Sequence, residues 1–580
     1  MCWLLCCVCW LSWALVTHGL PPACDSQVYC TGELLKQVQM AKLFTDDKYF
    51  VDMKLCVSPE EVVSAFQNWT RLVPDAALSY NQLQEFVNLY FDAPGQEFEP
   101  WMPDDWQAEP PFLKKIVDPA FRLWASELHA LWKSLGRKVR LDVKMHPELY
   151  SQIYTPHPLI VPGGRFRELY YWDSYWIIKG LLLSGMQKTT MGMIENFLYL
   201  VERYGFVPNG GRVYYERRTQ PPFLTLMVDS YYQATLDIDF LRKALPVLEK
   251  EYTFWITNRS VEVMDTTGTS HSLNYYKVEA GGPRPESYSD DMELAMGMQE
   301  GAQQILWAEL KSGAESGWDF SSRWFIDSAG HNFPKGTLKD TKTSFVVPVD
   351  LNALLCRCER TLATFNEILN NTEKVQHFKA QLQRRMQAVE AIFWDGSQGS
   401  WFDFNQQSMT TNKAFYPSNL APLWAKCYSK ASFEEQALRY LQTSGVLKYG
   451  NGVPTSMVQT GQQWDFPNAW PPLQQMLIEG LYEMNSSKGQ QIAGELAQKW
   501  VKANWMAYKE YKAMFEKYDV TGNGKPGGGG EYEVQLGFGW TNGVALQLLE
   551  QFGDRLVSAA SPMATCVGAW LILFVLLSVF

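Results

Sequence analysis

Apolar residues return at intervals of 3.6 along most of this chain, the spacing of one buried helix face. The pattern predicts helices over 176–185, 190–204, 223–257, 291–311, 349–371, 373–393, 432–442, 473–484, 488–514 and 541–552. Between them lie connections rich in Gly, Pro, Asn and aromatic residues, which interrupt helices and permit turns. No repeat of fixed period is visible, which argues against a solenoid built on a strict motif. Helical hairpins arranged as a toroid are the economical reading, because every second connection would then meet at one end and could build a single pocket. The same periodicity suits other all-helical bundles. Residues 24–150 hold helices and the Pro/Trp/Asp-rich segment "FDAPGQEFEPWMPDDWQAEPP", and read as an N-terminal helical arm packed on a main domain of 151–553.

The two ends break the pattern. "WLLCCVCWLSWALV" near the start is an apolar run of signal-peptide length, and Gly19 and Ala23 offer cleavage points, so 1–23 reads as a leader. "VGAWLILFVLLSVF" runs from Val567 to Phe580. As a helix it would span about 21 Å, short of a hydrocarbon core of about 30 Å. No basic residues follow it, and "VSAASPMA" places small residues ahead of it. That layout predicts a glycosylphosphatidylinositol (GPI) signal attached at Ser558, with 559–580 removed and the protein held on the outer face of the plasma membrane by lipid. A retained single span is the alternative.

Composition sharpens this picture. A net charge of −11 supplies no basic surface for a nucleic acid, so none is expected as a partner. Four sequons, at Asn68, Asn258, Asn370 and Asn485, fit a secreted glycoprotein. Outside the two ends the cysteines are Cys24, Cys30, Cys56, Cys356, Cys358 and Cys427. One or two bridges are expected, nearest the N-terminus, with Cys356 and Cys358 as buried thiols. The 23 tryptophans fit a large aromatic core or stacking surfaces for sugar rings.

The chemistry follows by elimination. Seven histidines form no ligand pair, no G-x-S-x-G elbow occurs, and no cofactor is implied. "GNGKPGGGGEY" (522–532) fails as a phosphate loop, because Pro526 stands where Ser or Thr is needed. It reads either as a surface linker or as a lid carrying Glu531. Carboxylates, arginines and aromatics remain, the set used to cleave glycosidic bonds with one acid and one base. Asp319 in "ESGWDFSSRWF" suits the acid, since Trp318 and Trp324 beside it would exclude water, favour its protonated form and offer a platform for a sugar ring. The plainer role for Asp319 is a helix cap.

"PGGRFRELYYWDSYW" (162–176) and "QWDFPNAWPP" (463–472) resemble the two signature patterns of the trehalases, which hydrolyse α,α-trehalose to glucose. "RPES" (284–287), "ESGWDFSSRWF" and "GGGGEY…GFGWTNGV" resemble that family's other hallmark segments, in its order, over about residues 40–550. The resemblance implies an all-α (α/α)6 toroid and an inverting mechanism with an Asp acid, matched by Asp319, and a Glu base, matched by Glu516. The residues alone do not single out Glu516: Glu510, Asp519 and Glu531 are nearby, and an exposed helical Glu516 paired with Lys512 is the plain reading. The resemblance gives trehalose-binding roles to Arg165, Arg218 and Arg284, whose guanidinia can each meet several hydroxyls or orient a carboxylate. Trp172 and Asp173 would supply a stacking face and a hydroxyl acceptor. Asn209, Thr219, Gln220, Pro285, Glu286, Gly317 and Glu531 would complete the contacts, and Trp464 would wall the pocket. Arginines near Glu516 are expected to keep it ionised. The competing readings are a hydrolase of another glycoside, a disaccharide phosphorylase, and a sugar-binding receptor without turnover.

Overall fold

Six helices buried on nearly all sides make an inner ring: Asp173–Leu183, Leu224–Thr235, Val349–Ile368, Ala421–Ala425, Pro471–Tyr482 and Gly539–Phe552. Each packs on the next, and the last returns to the first. The closing contact is tight. A Cβ on Gly543 would lie 2.0 Å from the Trp176 carbonyl oxygen, so only glycine lets these two backbones meet. Outer helices Gln187–Tyr204, Ile238–Asn258, Thr372–Phe393, Ser432–Thr443 and Ser487–Tyr511 each follow an inner partner after a short turn. The sixth outer helix is Pro119–Leu135, which packs on Gly539–Phe552. It starts where Asp118 caps the N–H groups of Ala120 and Phe121 at 2.9 and 3.0 Å. The fold is therefore the (α/α)6 toroid, and part of the segment 24–150 belongs to its ring. This computed structural model describes residues 20–558 except 74 and 76; most of the leader and all of the segment 559–580 lie outside the described residues.

Connections from an outer helix to the next inner helix are long and share one end of the ring: 136–172, 205–223, 259–348, 394–420, 444–470 and 512–538. Short ladders stitch them together, as where Asn468–Ala469 pairs with Tyr518–Asp519. Helical periodicity carries no sign of these strands.

Three expected helices change at their ends or middles. The run 223–257 divides at Leu236, which turns left-handed, and Asp237 caps the following helix through Phe240 N–H at 2.9 Å. The run 291–311 becomes Tyr288–Leu294 and Glu300–Glu315. The run 488–514 stops at Tyr511, with Lys512 left-handed, so Glu516 is not the exposed helical partner of Lys512. Cysteine pairing differs too. Cys24–Cys30 is bridged, but Cys356 is joined to Cys427 across two inner elements, and only Cys358 of the expected pair stays a buried thiol.

The arm has its own core around Val28, Leu35, Phe50 and Phe86, and meets the ring at Tyr170, Tyr214 and Tyr215. Buried charges cross that junction. Lys48 lies 2.8 Å from Glu168, and Arg212 reaches Glu97 at 2.5 Å and Glu168 at 3.1 Å. All four sequon asparagines are exposed. No helix among the described residues is long and apolar enough to cross a membrane.

Candidate active site

The long connections converge on one cavity at that end of the ring. Arg165 and Trp172 come from 136–172, Asn209, Arg218 and Gln220 from 205–223, and Arg284, Glu286, Gly317 and Asp319 from 259–348. Trp464 comes from 444–470, Glu516 and Glu531 from 512–538, and Asp173 opens an inner helix. The cavity thus gathers all but two of the expected residues. Thr219 is fully buried behind it, its N–H donating to Glu315 at 3.0 Å. Pro285 faces the arm, its carbonyl accepting from Gln39 Nε2 at 3.1 Å.

Asp319 does not cap a helix; Ser321 does, accepting from Arg323 N–H at 3.1 Å. Its loop is held by Asp465, which accepts from Ser321 Oγ at 3.0 Å and Ser322 N–H at 2.7 Å. Gly317 brings the loop against Trp172: its φ is +76°, and a Cβ there would lie 2.7 Å from the indole. The expected platform of Trp318 and Trp324 is displaced. Trp318 stacks on Trp464, and Trp324 Nε1 donates to the Trp318 carbonyl. The indoles facing the cavity are Trp172, Trp464, Trp470 and Trp540. Trp464 and Trp470 lie parallel, 4.0 Å apart.

Burial pushes the Asp319 carboxyl up to about 7, reinforced by Glu531 and opposed by Arg284 and Arg218. Burial also lifts Asp173, to about 8, helped by the charges of Asp319 and Glu516. Glu516 is raised by burial and drawn back chiefly by Lys517, whose Nζ is 3.0 Å from Oε1. The cation next to the expected base is therefore this lysine, with Arg165 a weaker contributor. Burial would raise Glu286, but Arg218 and Arg284 hold it below the usual range.

The glycine run carries Glu531 to the cavity. Arg284 grips Glu531 through Nη1 at 3.1 Å and Nη2 at 2.8 Å, and Gly530 N–H donates to Gly461 O at 3.2 Å. Tyr532 follows into the cavity beside Arg165, whose guanidinium lies 4.6 Å from its ring centre.

Sequence reasoning missed Tyr215, Trp470, Tyr532 and Trp540 in the wall, and Lys517 and Gln463 behind it. Trp470 lies inside a quoted signature and Tyr532 beside Glu531, so proximity was their signal. Lys517 sits in a loop with no period to mark it.

A ring of hairpins with paired carboxyls, arginines and indoles at one mouth is the arrangement of a glycosidase. The sequence profile of the trehalase family matches residues 42–553. The chain is 50% identical to human trehalase, over 99% of this chain and 98% of that protein. It is 46% identical to trehalase of Apis mellifera, over 94% and 87% of the two chains. Among solved structures, neutral trehalase from Saccharomyces cerevisiae superposes with a TM-score of 0.55 at 25% identity, covering 71% of this chain and 76% of that one. The chain belongs to the trehalase family, and it is a glycoside hydrolase acting on trehalose.

Proposed function

We propose that this enzyme hydrolyses α,α-trehalose with inversion, Asp319 acting as general acid and Glu516 as general base. One observation carries the reading: both carboxyls face a single cavity, Asp319 raised to about 7 by burial and Glu516, also raised by burial, drawn back by a bonded ammonium group. Asp319 donates its proton to the bridging oxygen as the anomeric C–O bond breaks. Glu516 removes a proton from the water attacking the opposite face of that carbon. The products are one α- and one β-glucose. Arg165, Arg218, Arg284, Asn209, Gln220, Glu286 and Glu531 bind hydroxyls, with the tryptophan wall against the apolar sugar faces. Proton NMR of a fresh digest tests this: equal α- and β-glucose at first turnover supports inversion, and α-glucose alone refutes it.

The height of Asp173 favours a second assignment, with Asp173 as the acid. Turnover that survives Asp319→Asn and vanishes in Asp173→Asn selects it.

Exposed sequons and two disulfides support passage through an oxidising secretory compartment. The GPI attachment at Ser558 is part of the same proposal. Pro21 accepts from Gly281 N–H at 2.7 Å, which favours Gly19 over Ala23 as the cleavage point. Release from membranes by phosphatidylinositol-specific phospholipase C tests the anchor.

A further inference from the structure

Lys517 is an ammonium group with no exposed surface, a costly state unless its donors are met. One donor meets Glu516 Oε1 at 3.0 Å and another meets Gln463 Oε1 at 2.8 Å. The faces of Trp470 and Tyr532 cover the rest, their centres 5.0 and 5.4 Å from Nζ. Because Gln463 accepts through Oε1, its Nε2 is free to donate, and it does so to the backbone carbonyl of Asp319. Gln463 is itself buried, its carbonyl held by Trp470 Nε1 at 2.8 Å. An unbroken polar chain therefore runs from Glu516 through Lys517 and Gln463 to the backbone of Asp319.

The two oxygens of Glu516 are not equivalent. Oε1 is taken by Lys517, whereas among the described residues Oε2 has only the Tyr532 hydroxyl, 3.4 Å away. A base needs one oxygen fixed and the other available.

We propose that Lys517 is the positioning residue of the base, fixing Glu516 Oε1 so that Oε2 faces the water, and that Gln463 sets the spacing between Lys517 and the Asp319 loop. This rests on the assignment of Glu516 as base. Lys517 also accepts Gly527 N–H through its carbonyl at 3.0 Å, where the glycine run begins. The glycine run and the base thus share one anchor.

Arg165, Tyr532 and Asp173 also act on Glu516, and Asp319, Glu286, Glu531, Arg218 and Arg284 face it across the same cavity. None replaces Lys517, since Arg165 is committed to Asp46 at 2.7 and 2.8 Å.

The test is the pH dependence of kcat/KM for trehalose in the intact enzyme. Glu516→Gln comes first: near-full turnover in it removes the base assignment and this inference together. With Glu516 confirmed, Lys517→Met should move the acidic limb upward by about one pH unit or more, since the carboxylate loses its adjacent cation. The same variant should lower kcat about 10- to 100-fold, with KM changing far less. Lys517→Arg should restore the limb. A limb unmoved in Lys517→Met, with kcat falling only as far as thermal stability does, overturns the proposal. If Lys517→Met does not fold, Gln463→Glu decides. A second carboxylate competing for the same ammonium should raise the limb, and an unmoved limb refutes the chain.

Discussion

Arg165 of the ring and Asp46 of the arm meet as a two-bonded fork, Nε donating to Oδ2 at 2.8 Å and Nη2 to Oδ1 at 2.7 Å. Asp46 also caps the helix Asp47–Val51, accepting from Lys48 N–H at 2.9 Å. The arm therefore aims a guanidinium into the cavity. Asp46→Asn keeps an effective cap but loses the carboxylate. Charge-assisted bonds of this kind contribute about 1.5–3 kcal/mol, less where solvent reaches them. The expected result is a fall in kcat/KM of about tenfold with little change in Tm. Steady-state kinetics beside thermal unfolding would show whether the site depends on the arm; unchanged kcat/KM means it does not.

The two carboxyls predict a bell-shaped pH profile with its maximum on the mildly acidic side. Glu516 must be bare, and burial lifts it above the ordinary glutamate value despite Lys517, so activity falls as pH drops through that raised point. Asp319 must hold its proton, so activity falls as pH rises through about 7. Asp173, near 8, titrates on the same alkaline side, and the limbs belong to the cluster rather than to single groups. Measurement of kcat/KM from pH 4 to 9 checks this; a flat alkaline side through pH 9 contradicts it.

Asp319→Asn should lower kcat about 10²- to 10⁴-fold and also stabilise the fold at high pH. The folded chain keeps a proton on Asp319 that the unfolded chain releases above about pH 4. That contribution is complete below the unfolded value and is lost as pH rises through about 7. The amide carries no such loss. The Tm of the variant should exceed that of the parent more at pH 8.5 than at pH 4.5, and a pH-independent difference would refute the raised carboxyl.

Gly317→Ala tests the contact between the Asp319 loop and Trp172. The φ of +76° disfavours any side chain, and the new methyl would lie 2.7 Å from the Trp172 indole. A cost of about 1–3 kcal/mol in stability is expected from the backbone alone. Displacement of Trp172 should also raise KM, an effect that unfolding curves cannot mimic.

Most helices of the ring were readable from their apolar period, though the ring itself was not, and the short inner helix Ala421–Ala425 left no such run. The inner helix over 471–482 and its outer partner over 487–511 appeared in the sequence within a few residues of their ends. The sixth outer helix, Pro119–Leu135, stayed inside the expected arm because its partner Gly539–Phe552 lies more than 400 residues further on, and periodicity records no partners. Arg165, Arg284 and Asp319 were legible through motifs, since their loops keep several residues in fixed relation. Asp46 was not, because the fold brings Arg165 to it from far along the chain, and Lys517 was not, because adjacency to Glu516 does not reveal that its Nζ turns back onto that carboxylate. Trp318 misled: adjacency to Asp319 in sequence suggested a sugar platform, but its ring turned to stack on Trp464.

The buried charges beneath the arm give the last prediction. Arg212 contacts Glu97, Glu168 and Asp52, and shares a connection with Asn209 and Arg218 of the cavity. Burial alone would raise Glu168, but Lys48 and Arg212 hold it well below the usual range. Its depressed value gives stability that is present above the unfolded pKa and disappears as pH falls through the folded one. Arg212→Met leaves buried Glu97 without its cation and Glu168 and Asp52 with Lys48 alone, a change that costs about 3–5 kcal/mol. The gap in stability between parent and variant should be widest above pH 5 and shrink on acidification, as the orphaned carboxylates take up protons. Urea unfolding at pH 7 and pH 4 would measure it. A gap that stays constant would mean that Arg212 contributes packing alone, through the 5.9 Å approach of its guanidinium to the Phe98 ring.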